Sequence, residues 1–153
     1  MTEDERWMRE ALLLAQQASK EGEIPVGAIA VLGDRILGRG YNRIEALQDP
    51  TAHAEILAIT AAANALNSRR LEGVSLYVTL EPCCMCAGAL VLARVERLFF
   101  GAWDPKAGAC GTLYNIPQDA RLNHRMDVVS GVLEAECSAL LSQFFKSLRA
   151  NQI

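Results

Sequence analysis

Apolar residues in the first twenty positions recur every three or four residues, which predicts an amphipathic helix through about Lys20. Thr2, followed three residues later by Glu5, is typical of a capping box that would open this helix. One face would be buried against the rest of the protein and the other would face water. The apolar face consists of Trp7, Ala11, Leu14, Ala15 and Ala18.

Further along the chain the pattern alternates between strands and helices. Runs of apolar and β-branched residues predict strands at 26–32 and 35–41, and Gly33-Asp34 between them indicates a two-residue hairpin turn of type II′. An Ala-rich segment at 52–66 predicts a helix. This order is typical of a mixed sheet covered by helices, with parallel pairing in its second half. The remaining predicted elements are a strand at 74–80, a helix at 87–93, strands at 97–101 and 127–133, and a helix at 134–149.

The length of 153 residues, with no linker or internal repeat, predicts a single domain over 1–153. The hydrophobic fraction of 51% and the charged fraction of 22% are typical of a chain that buries a core. The longest uncharged stretches, 56–68 and 82–93, are far shorter than the roughly 20 apolar residues of a membrane span. The acidic start lacks the apolar core of a signal peptide. We therefore expect a soluble cytoplasmic protein without a membrane segment.

Charge and cysteine content narrow the function classes further. The net charge of −3 rules out a general polyanion-binding surface, so any nucleic acid must be held by a local basic patch. The chain has 5 cysteines, an odd number, and three of them fall within four positions. A secreted disulfide framework usually has an even, dispersed set, whereas this clustering favours metal binding or thiol chemistry.

Two short motifs combine residue types that bind zinc. In Pro82-Cys83-x-x-Cys86 the two cysteines lie on the same side of a helical first turn, which Pro82 is suited to open. The helix N-terminus favours the thiolates that bind metal. The second motif, His53-x-Glu55, supplies an imidazole as third ligand. Two thiolates and one imidazole select zinc over magnesium, calcium or manganese.

Three protein ligands leave the fourth corner of a tetrahedral zinc ion open for water, which is typical of a catalytic site. Glu55 would act as the neighbouring base. On a regular helix positions i and i+2 diverge by about 200°. His53 and Glu55 can therefore both approach the metal only if His53 lies at the start of its helix.

Other interpretations of these cysteines remain open at this stage. Cys83 and Cys86 could form the redox pair of a thiol oxidoreductase. A structural zinc site, in a non-catalytic binding module, would need a fourth ligand such as Cys110 or His124. We interpret Cys84 as a spare thiol, and Cys110 and Cys137 as buried core thiols.

The combination H-x-E and P-C-x-x-C is the signature of zinc nucleobase deaminases. On this signature and the stretches 25–28, 49–56, 79–89 and 100–104, the chain resembles bacterial tRNA-specific adenosine deaminases of the TadA type over nearly its whole length. The resemblance implies an α/β fold of the cytidine-deaminase-like class. This is a three-layer α-β-α sandwich with a mixed five-stranded central sheet. It also implies a homodimer with one Zn²⁺ per subunit.

The resemblance further implies hydrolytic deamination of adenosine to inosine at the wobble position of a tRNA anticodon, with arginine tRNA as the expected substrate. Water on the zinc would attack C6, and Glu55 would serve as proton shuttle. The same chemistry would serve a related deaminase acting on free cytidine, dCMP, guanine or a pterin-like ring. The segment after Cys86 favours the tRNA enzyme.

Four further residues are implied as substrate contacts: Asn42, Asp104, Lys106 and Phe144. Asn42 could instead be a turn residue, and Phe144 could pack in the core. Trp103 stands directly before Asp104 in the same segment. Phosphate contacts need local cations. The candidates are Arg69, Arg70, Arg94, Arg97, Lys106, Arg121, Arg125, Lys146 and Arg149, of which the first two could form only a solvated face.

Overall fold

In a computed structural model the described residues are 1–151. Within that range no helix is long and apolar enough to cross a bilayer. All the predicted helices and strands are present, in the predicted order. They are α1 (Glu3–Lys20), β1 (Gly27–Leu32), β2 (Arg35–Tyr41), α2 (Ile44–Leu47), α3 (Ala54–Leu66), β3 (Ser75–Leu80), α4 (Cys84–Ala93), β4 (Arg97–Ala102), a 3₁₀ turn (Ile116–Gln118), β5 (Asp127–Val129) and α5 (Glu134–Ala150).

The five strands form one mixed sheet in the order β2-β1-β3-β4-β5. β1 pairs antiparallel with β2 and with β3, whereas β3–β4 and β4–β5 are parallel. The prediction of parallel pairing in the second half of the sheet is confirmed. Because β3 and β4 are parallel, their carboxyl ends, at Leu80 and Ala102, lie side by side at one edge. The segments that leave the sheet there carry the candidate chemistry.

Alternate residues of the central strands point to two separate cores, as the pleat requires. On one face Ala28, Val78 and Phe100 pack with α3 and α4. On the other face Ile29 and Tyr77, with Phe99, pack with α1 and the start of α5. The molecule is therefore the three-layer α-β-α sandwich implied by its resemblance to the deaminases.

Glycine allows β2 to approach α3 closely. A Cβ added at Gly40 would lie 2.3 Å from the carbonyl oxygen of Ala54, and one at Gly38 would lie 2.4 Å from that of Ala58. Any side chain at either position would therefore force β2 and α3 apart. The start of α3 is thus seated directly on the central sheet.

Several local predictions differ from the structure. The strand predicted at 127–133 ends at Val129, because Gly131 and Leu133 adopt positive φ angles of 79° and 53° that leave the extended conformation. The helix predicted at 87–93 begins earlier, at Cys84. Pro82 does not open that helix, because it lies one residue before the N-cap, where its carbonyl accepts a hydrogen bond from the Ala109 N–H at 2.9 Å.

Candidate metal centre and active site

His53 lies at the start of α3, as the geometric argument requires. It is the N-cap residue, with φ −77° and ψ 153°, so its backbone is still extended while Ala54 is already helical. Residues 52–53, predicted to be helical, therefore lie outside the helix. The extended N-cap turns the side chain away from the direction it would take within the helix. His53 and Glu55 can consequently reach the same centre.

Asn42 fixes this helix start. Its side chain is only 6% exposed, and its Oδ1 atom accepts a hydrogen bond from the backbone N–H of Ala54 at 2.8 Å. The N–H groups of a helical first turn have no partner within the helix, so a side-chain acceptor there stabilises it. Asn42 thus has a structural contact that the sequence did not predict.

Cys83 and Cys86 lie at the start of α4, just as His53 and Glu55 lie at the start of α3. Cys83 is the N-cap and Cys86 lies in the first turn. The Nδ1 atom of His53 lies 3.7 Å from the Sγ of Cys83 and 3.6 Å from the Sγ of Cys86. A tetrahedral ion with Zn–S of about 2.3 Å and Zn–N of about 2.1 Å would separate a nitrogen and a sulfur ligand by about 3.6 Å. The three side chains therefore fit a zinc ion in both chemistry and spacing.

No further ligand joins this group among residues 1–151, since His53, Cys83 and Cys86 are the only three metal-binding side chains whose ligand atoms lie within 4.8 Å of one another. The Cys110 sulfur is directed at the carbonyl of Pro82, at 3.8 Å. The Nε2 atom of His124 lies 2.6 Å from the carbonyl oxygen of Val95. Neither of these two side chains completes a structural zinc site.

The charges and hydrogen bonds around Cys83 and Cys86 favour metal binding. Hydrogen bonds, first with Cys86 and then with His53, lower the pKa of Cys83 to about 3. The contact with Cys83 raises the pKa of Cys86, and burial adds to that rise. A hydrogen bond with Cys83 also raises the pKa of His53. One thiolate is therefore already favoured without an ion, and a cation would favour the second.

Glu55 lies in the first turn of α3 and is 4% exposed. Burial raises the pKa of its carboxyl to about 7, and the negative charge at Cys83 acts in the same direction. A carboxyl group with a pKa near neutrality can both accept and release a proton. The sequence-predicted base thus lies beside the metal-binding group in a state suited to proton transfer.

Asp104 and Lys106 lie in the segment that follows β4, here called the 103–112 loop. One oxygen of Asp104, Oδ1, accepts hydrogen bonds from the N–H groups of Lys106 (3.0 Å) and Ala107 (3.2 Å). Lys106 is exposed, and Trp103 is 45% exposed. The loop therefore presents a carboxylate, an ammonium group and an aromatic ring next to the ends of β3 and β4.

A groove of about 660 Å³ runs between this loop and α5. Phe145 lines the groove, whereas Phe144 lines a separate depression with Ser19 and Gly22. Phe144 therefore stays a prediction as a substrate contact, and Phe145 is the aromatic residue that lies near the loop. The other lining residues are Ile24, Leu80, Ala102, Trp103, Asp104, Pro105, Lys106, Ser138, Leu141, Ser142 and Arg149.

Two buried carboxylates near the site were not singled out by the sequence analysis. Glu23, 3% exposed, accepts hydrogen bonds from the N–H groups of Glu45 (3.0 Å) and Ala46 (2.8 Å). Glu81, 2% exposed, is hydrogen-bonded to the 103–112 loop. The available signal for Glu81 was a charged residue directly between an apolar strand and the Pro82-Cys83 motif.

Comparisons with known proteins agree with this geometry. The MafB19-like deaminase family matches residues 2–149. A tRNA-specific adenosine deaminase of Bacillus subtilis is 54% identical over 149 residues, covering 97% of this chain and 92% of the relative.

Two solved structures are similar over most of the chain. One, from work on A-to-I editing by tRNA:A34 deaminases at the wobble position, has a TM-score of 0.86 and 45% identity, covering 89% of this chain and 99% of that chain. The other, a guanine deaminase from Nitrosomonas europaea, has a TM-score of 0.78 and 25% identity, covering 94% of this chain and 85% of that chain.

Proposed function

This chain belongs to the family of tRNA-specific adenosine deaminases, and we propose that it hydrolyses the wobble adenosine of a tRNA anticodon, expected to be that of an arginine tRNA, to inosine. The observation that carries the proposal is the group His53, Cys83 and Cys86 beside the buried Glu55. Two sulfurs and one imidazole suit Zn²⁺, one ion per subunit. When bound, zinc supplies the Lewis acidity that ionises a water molecule near neutral pH.

Glu55 moves the protons of the reaction. Its carboxylate takes a proton from the attacking water and delivers it to N1 of the adenine ring as oxygen adds to C6. A second transfer to the exocyclic nitrogen lets ammonia leave, and the ring is left with a keto group. The buried position of Glu55, beside the group that would hold the zinc, allows one carboxyl to serve in both transfers.

Asn42 and the loop residues bind and orient the nucleotide. Because the Oδ1 atom of Asn42 is engaged with the start of α3, contact with the base or sugar would fall to its Nδ2 amide. A base within a duplex cannot reach this site, so the adenosine must be splayed from a loop. Lys106 and Arg149, which line the same groove, supply local positive charge on a chain of net charge −3.

The proposal includes a cytoplasmic homodimer. Leu92 on α4 is 75% exposed, and Tyr114 is 60% exposed, so apolar surface is available for a second copy. Analytical ultracentrifugation of the zinc-loaded protein tests this part. We expect a single species of twice the 16.7 kDa chain mass, and a monomer at micromolar concentration would contradict it.

The activity is tested by incubating the zinc-loaded protein with an anticodon stem-loop carrying a wobble adenosine, and separately with free adenosine, cytidine, dCMP and guanine. Nucleoside mass analysis is expected to find inosine in the stem-loop and no product from the free compounds. Ammonia release from guanine, with an unmodified stem-loop, would support the second candidate, a free-base deaminase. The similarity to the guanine deaminase favours that alternative. Zinc content at one ion per chain would argue against a thiol oxidoreductase.

A further inference from the structure

Glu81 is a buried carboxylate that the proposed chemistry does not use. It follows the last residue of β3 and lies two residues before the ligand Cys83. Both of its oxygens are occupied by the 103–112 loop. Oε1 accepts hydrogen bonds from the Asp104 N–H (2.9 Å) and the Thr112 hydroxyl, and Oε2 accepts from the N–H groups of Cys110 (3.0 Å) and Thr112 (3.1 Å).

Backbone hydrogen bonds also connect Glu81 and Pro82 with the segment that begins at the end of β4. The N–H of Glu81 donates to the carbonyl of Ala102 at 2.8 Å, and the N–H of Ala109 donates to the carbonyl of Pro82 at 2.9 Å. Glu81 and Pro82 therefore hold the 103–112 loop at its beginning, middle and end. Because Cys83 follows directly, this attachment fixes the loop relative to the metal ligands.

The loop is also shaped around the Glu81 side chain. A Cβ added at Gly108 would lie 2.2 Å from Oε1 of Glu81 and 2.6 Å from the carbonyl oxygen of Asp104. The loop can close around the carboxylate only with glycine at this position. Any side chain at Gly108 would push the loop and the carboxylate apart.

The Glu81 side chain acts only as an acceptor, since all four of these hydrogen bonds are donated to its two oxygens. Buried N–H and O–H donors need such an acceptor, because a donor left without one bears the full cost of its desolvation. A glutamine would turn an NH₂ group toward N–H donors that need an acceptor, leaving at least one of them unsatisfied. The loop would then lose its fixed position while the apolar core stays intact.

We infer that Glu81 is a positioning residue for substrate recognition, which holds Asp104 and Lys106 of the 103–112 loop at a fixed place beside the metal centre. The inference rests on the proposed function, in which these two residues contact the RNA. Glu81 itself touches neither the metal ligands' side chains nor the substrate in this assignment.

The test compares Glu81→Gln and Thr112→Val with the unaltered enzyme, all loaded with zinc, on an anticodon stem-loop. Thr112→Val removes one donor and keeps the three backbone contacts. For Glu81→Gln we expect kcat/KM to fall by about 100-fold, mainly through a higher KM. For Thr112→Val we expect KM to rise by about two- to tenfold. Zinc content should remain at one ion per chain in both variants.

Hydrogen–deuterium exchange supplies a readout that does not depend on activity. In Glu81→Gln the amides of Asp104, Cys110 and Thr112 are expected to exchange faster. The matched control is Glu23→Gln, which removes another buried carboxylate and should speed exchange at Glu45 and Ala46 instead. If either variant showed faster exchange both in the 103–112 loop and at Glu45 and Ala46, the protein would be loosened generally, and the inference would be overturned.

Kinetics separate a positioning role from a purely structural one. If kcat and zinc content fell together in Glu81→Gln while KM stayed constant, Glu81 would serve only stability, and the inference would be wrong. An unchanged KM in both variants would also overturn it. If the unaltered enzyme formed no inosine in any stem-loop, the proposed function would fail instead, and the exchange experiment would still decide whether Glu81 holds the loop.

Discussion

The Oδ1 atom of Asn42 accepts a hydrogen bond from the backbone N–H of Ala54 at 2.8 Å. This bond joins the end of β2 to the start of α3, across twelve residues of chain. It satisfies an N–H group that the helix leaves without a partner and fixes the turn that carries His53 and Glu55. One side chain thus connects the end of β2 with the helix start that carries the candidate metal ligand His53 and the candidate base Glu55.

Asn42→Asp separates the structural contact of this residue from its proposed contact with the substrate. The carboxylate can still accept from Ala54, and its charge is favourable at a helix N-terminus, but it cannot donate to a substrate. We expect zinc content and the unfolding midpoint to stay close to those of the unaltered protein, with kcat/KM reduced at least tenfold. Asn42→Ala loses both roles and should also be destabilised by about 1 kcal/mol. Full activity of Asn42→Asp would remove the proposed substrate contact.

Glu55→Gln tests the proton shuttle. The amide retains the size of the side chain but cannot carry a proton, so turnover is expected to fall by a factor of about 10²–10⁴ while zinc stays bound. In the matched variant Cys86→Ala, zinc should be lost together with activity. Ammonia release and metal analysis on the same samples check both expectations. Ordinary turnover by Glu55→Gln would contradict the assigned role.

Gly38→Ala tests the close packing of β2 on α3. Its Cβ would lie 2.4 Å from the carbonyl oxygen of Ala58, so we expect a loss of about 1–3 kcal/mol in the free energy of unfolding. The control is Gly88→Ala within α4, where a Cβ meets nothing within 4 Å and higher helix propensity should add roughly 0.5–1 kcal/mol. Urea unfolding at one fixed zinc concentration measures both. Equal stability of the two variants would contradict the packing argument.

Tyr77 makes stability sensitive to alkaline pH. Its hydroxyl donates to Oδ1 of Asp4 at 2.8 Å, and burial, followed by this bond, raises the pKa of Tyr77 well above its usual value. Folding therefore favours the protonated phenol. The resulting stability is complete below about pH 10, the pKa in the unfolded chain, and is lost as the pH rises toward the higher pKa of the folded state.

Tyr77→Phe isolates this effect, because phenylalanine does not titrate. Between pH 10 and 11.5 the unaltered protein should lose up to about 1.4 kcal/mol per pH unit more than the variant. Near neutral pH the variant should be weaker by about 1 kcal/mol, because the bond to Asp4 is missing. Urea unfolding across this pH range measures both; parallel pH curves for the two proteins would show that Tyr77 does not contribute.

Lys106 and Lys146 should contribute to the salt dependence of RNA binding. Removing one cation that neutralises a phosphate lowers the slope of log K against log salt by about 0.7. We expect Lys106→Ala and Lys146→Ala to lower it by about this amount. Arg69→Ala is the control. Arg69 follows the end of α3, and this helix of 13 residues separates it by roughly 20 Å from the helix start that carries His53. Binding that is indifferent to salt, or a slope that changes equally in all three variants, would contradict a basic patch formed by the 103–112 loop and α5.

Each half of the candidate metal centre was readable from the sequence because its residues are neighbours in the chain, whereas the meeting of the two halves, 30 residues apart, was implied only by the shared signature. The spacing of Cys83 and Cys86 within one helical turn, and the requirement that His53 begin its helix, depend only on backbone geometry. The structure confirms that His53 is an N-cap residue and that its Nδ1 atom lies within 3.7 Å of both sulfurs. The parallel pairing of the later strands likewise followed from the alternation of elements.

Contacts between distant segments could not be predicted in this way. The pattern of apolar residues in α5 does not indicate whether Phe144 or Phe145 faces the 103–112 loop, because that depends on how α5 is rotated against the sheet.

Sequence alone therefore determined the residue types and the spacing within each half of the candidate metal centre, since neighbours in the chain are held together by the geometry of one helical turn. The tertiary structure brings the two halves, 30 residues apart, to one place. Tertiary structure alone decided that Glu81 closes on a loop 23 to 31 residues further along and that Asn42 starts α3. Hydrogen bonds over such separations form only after the sheet has brought the two segments to one edge.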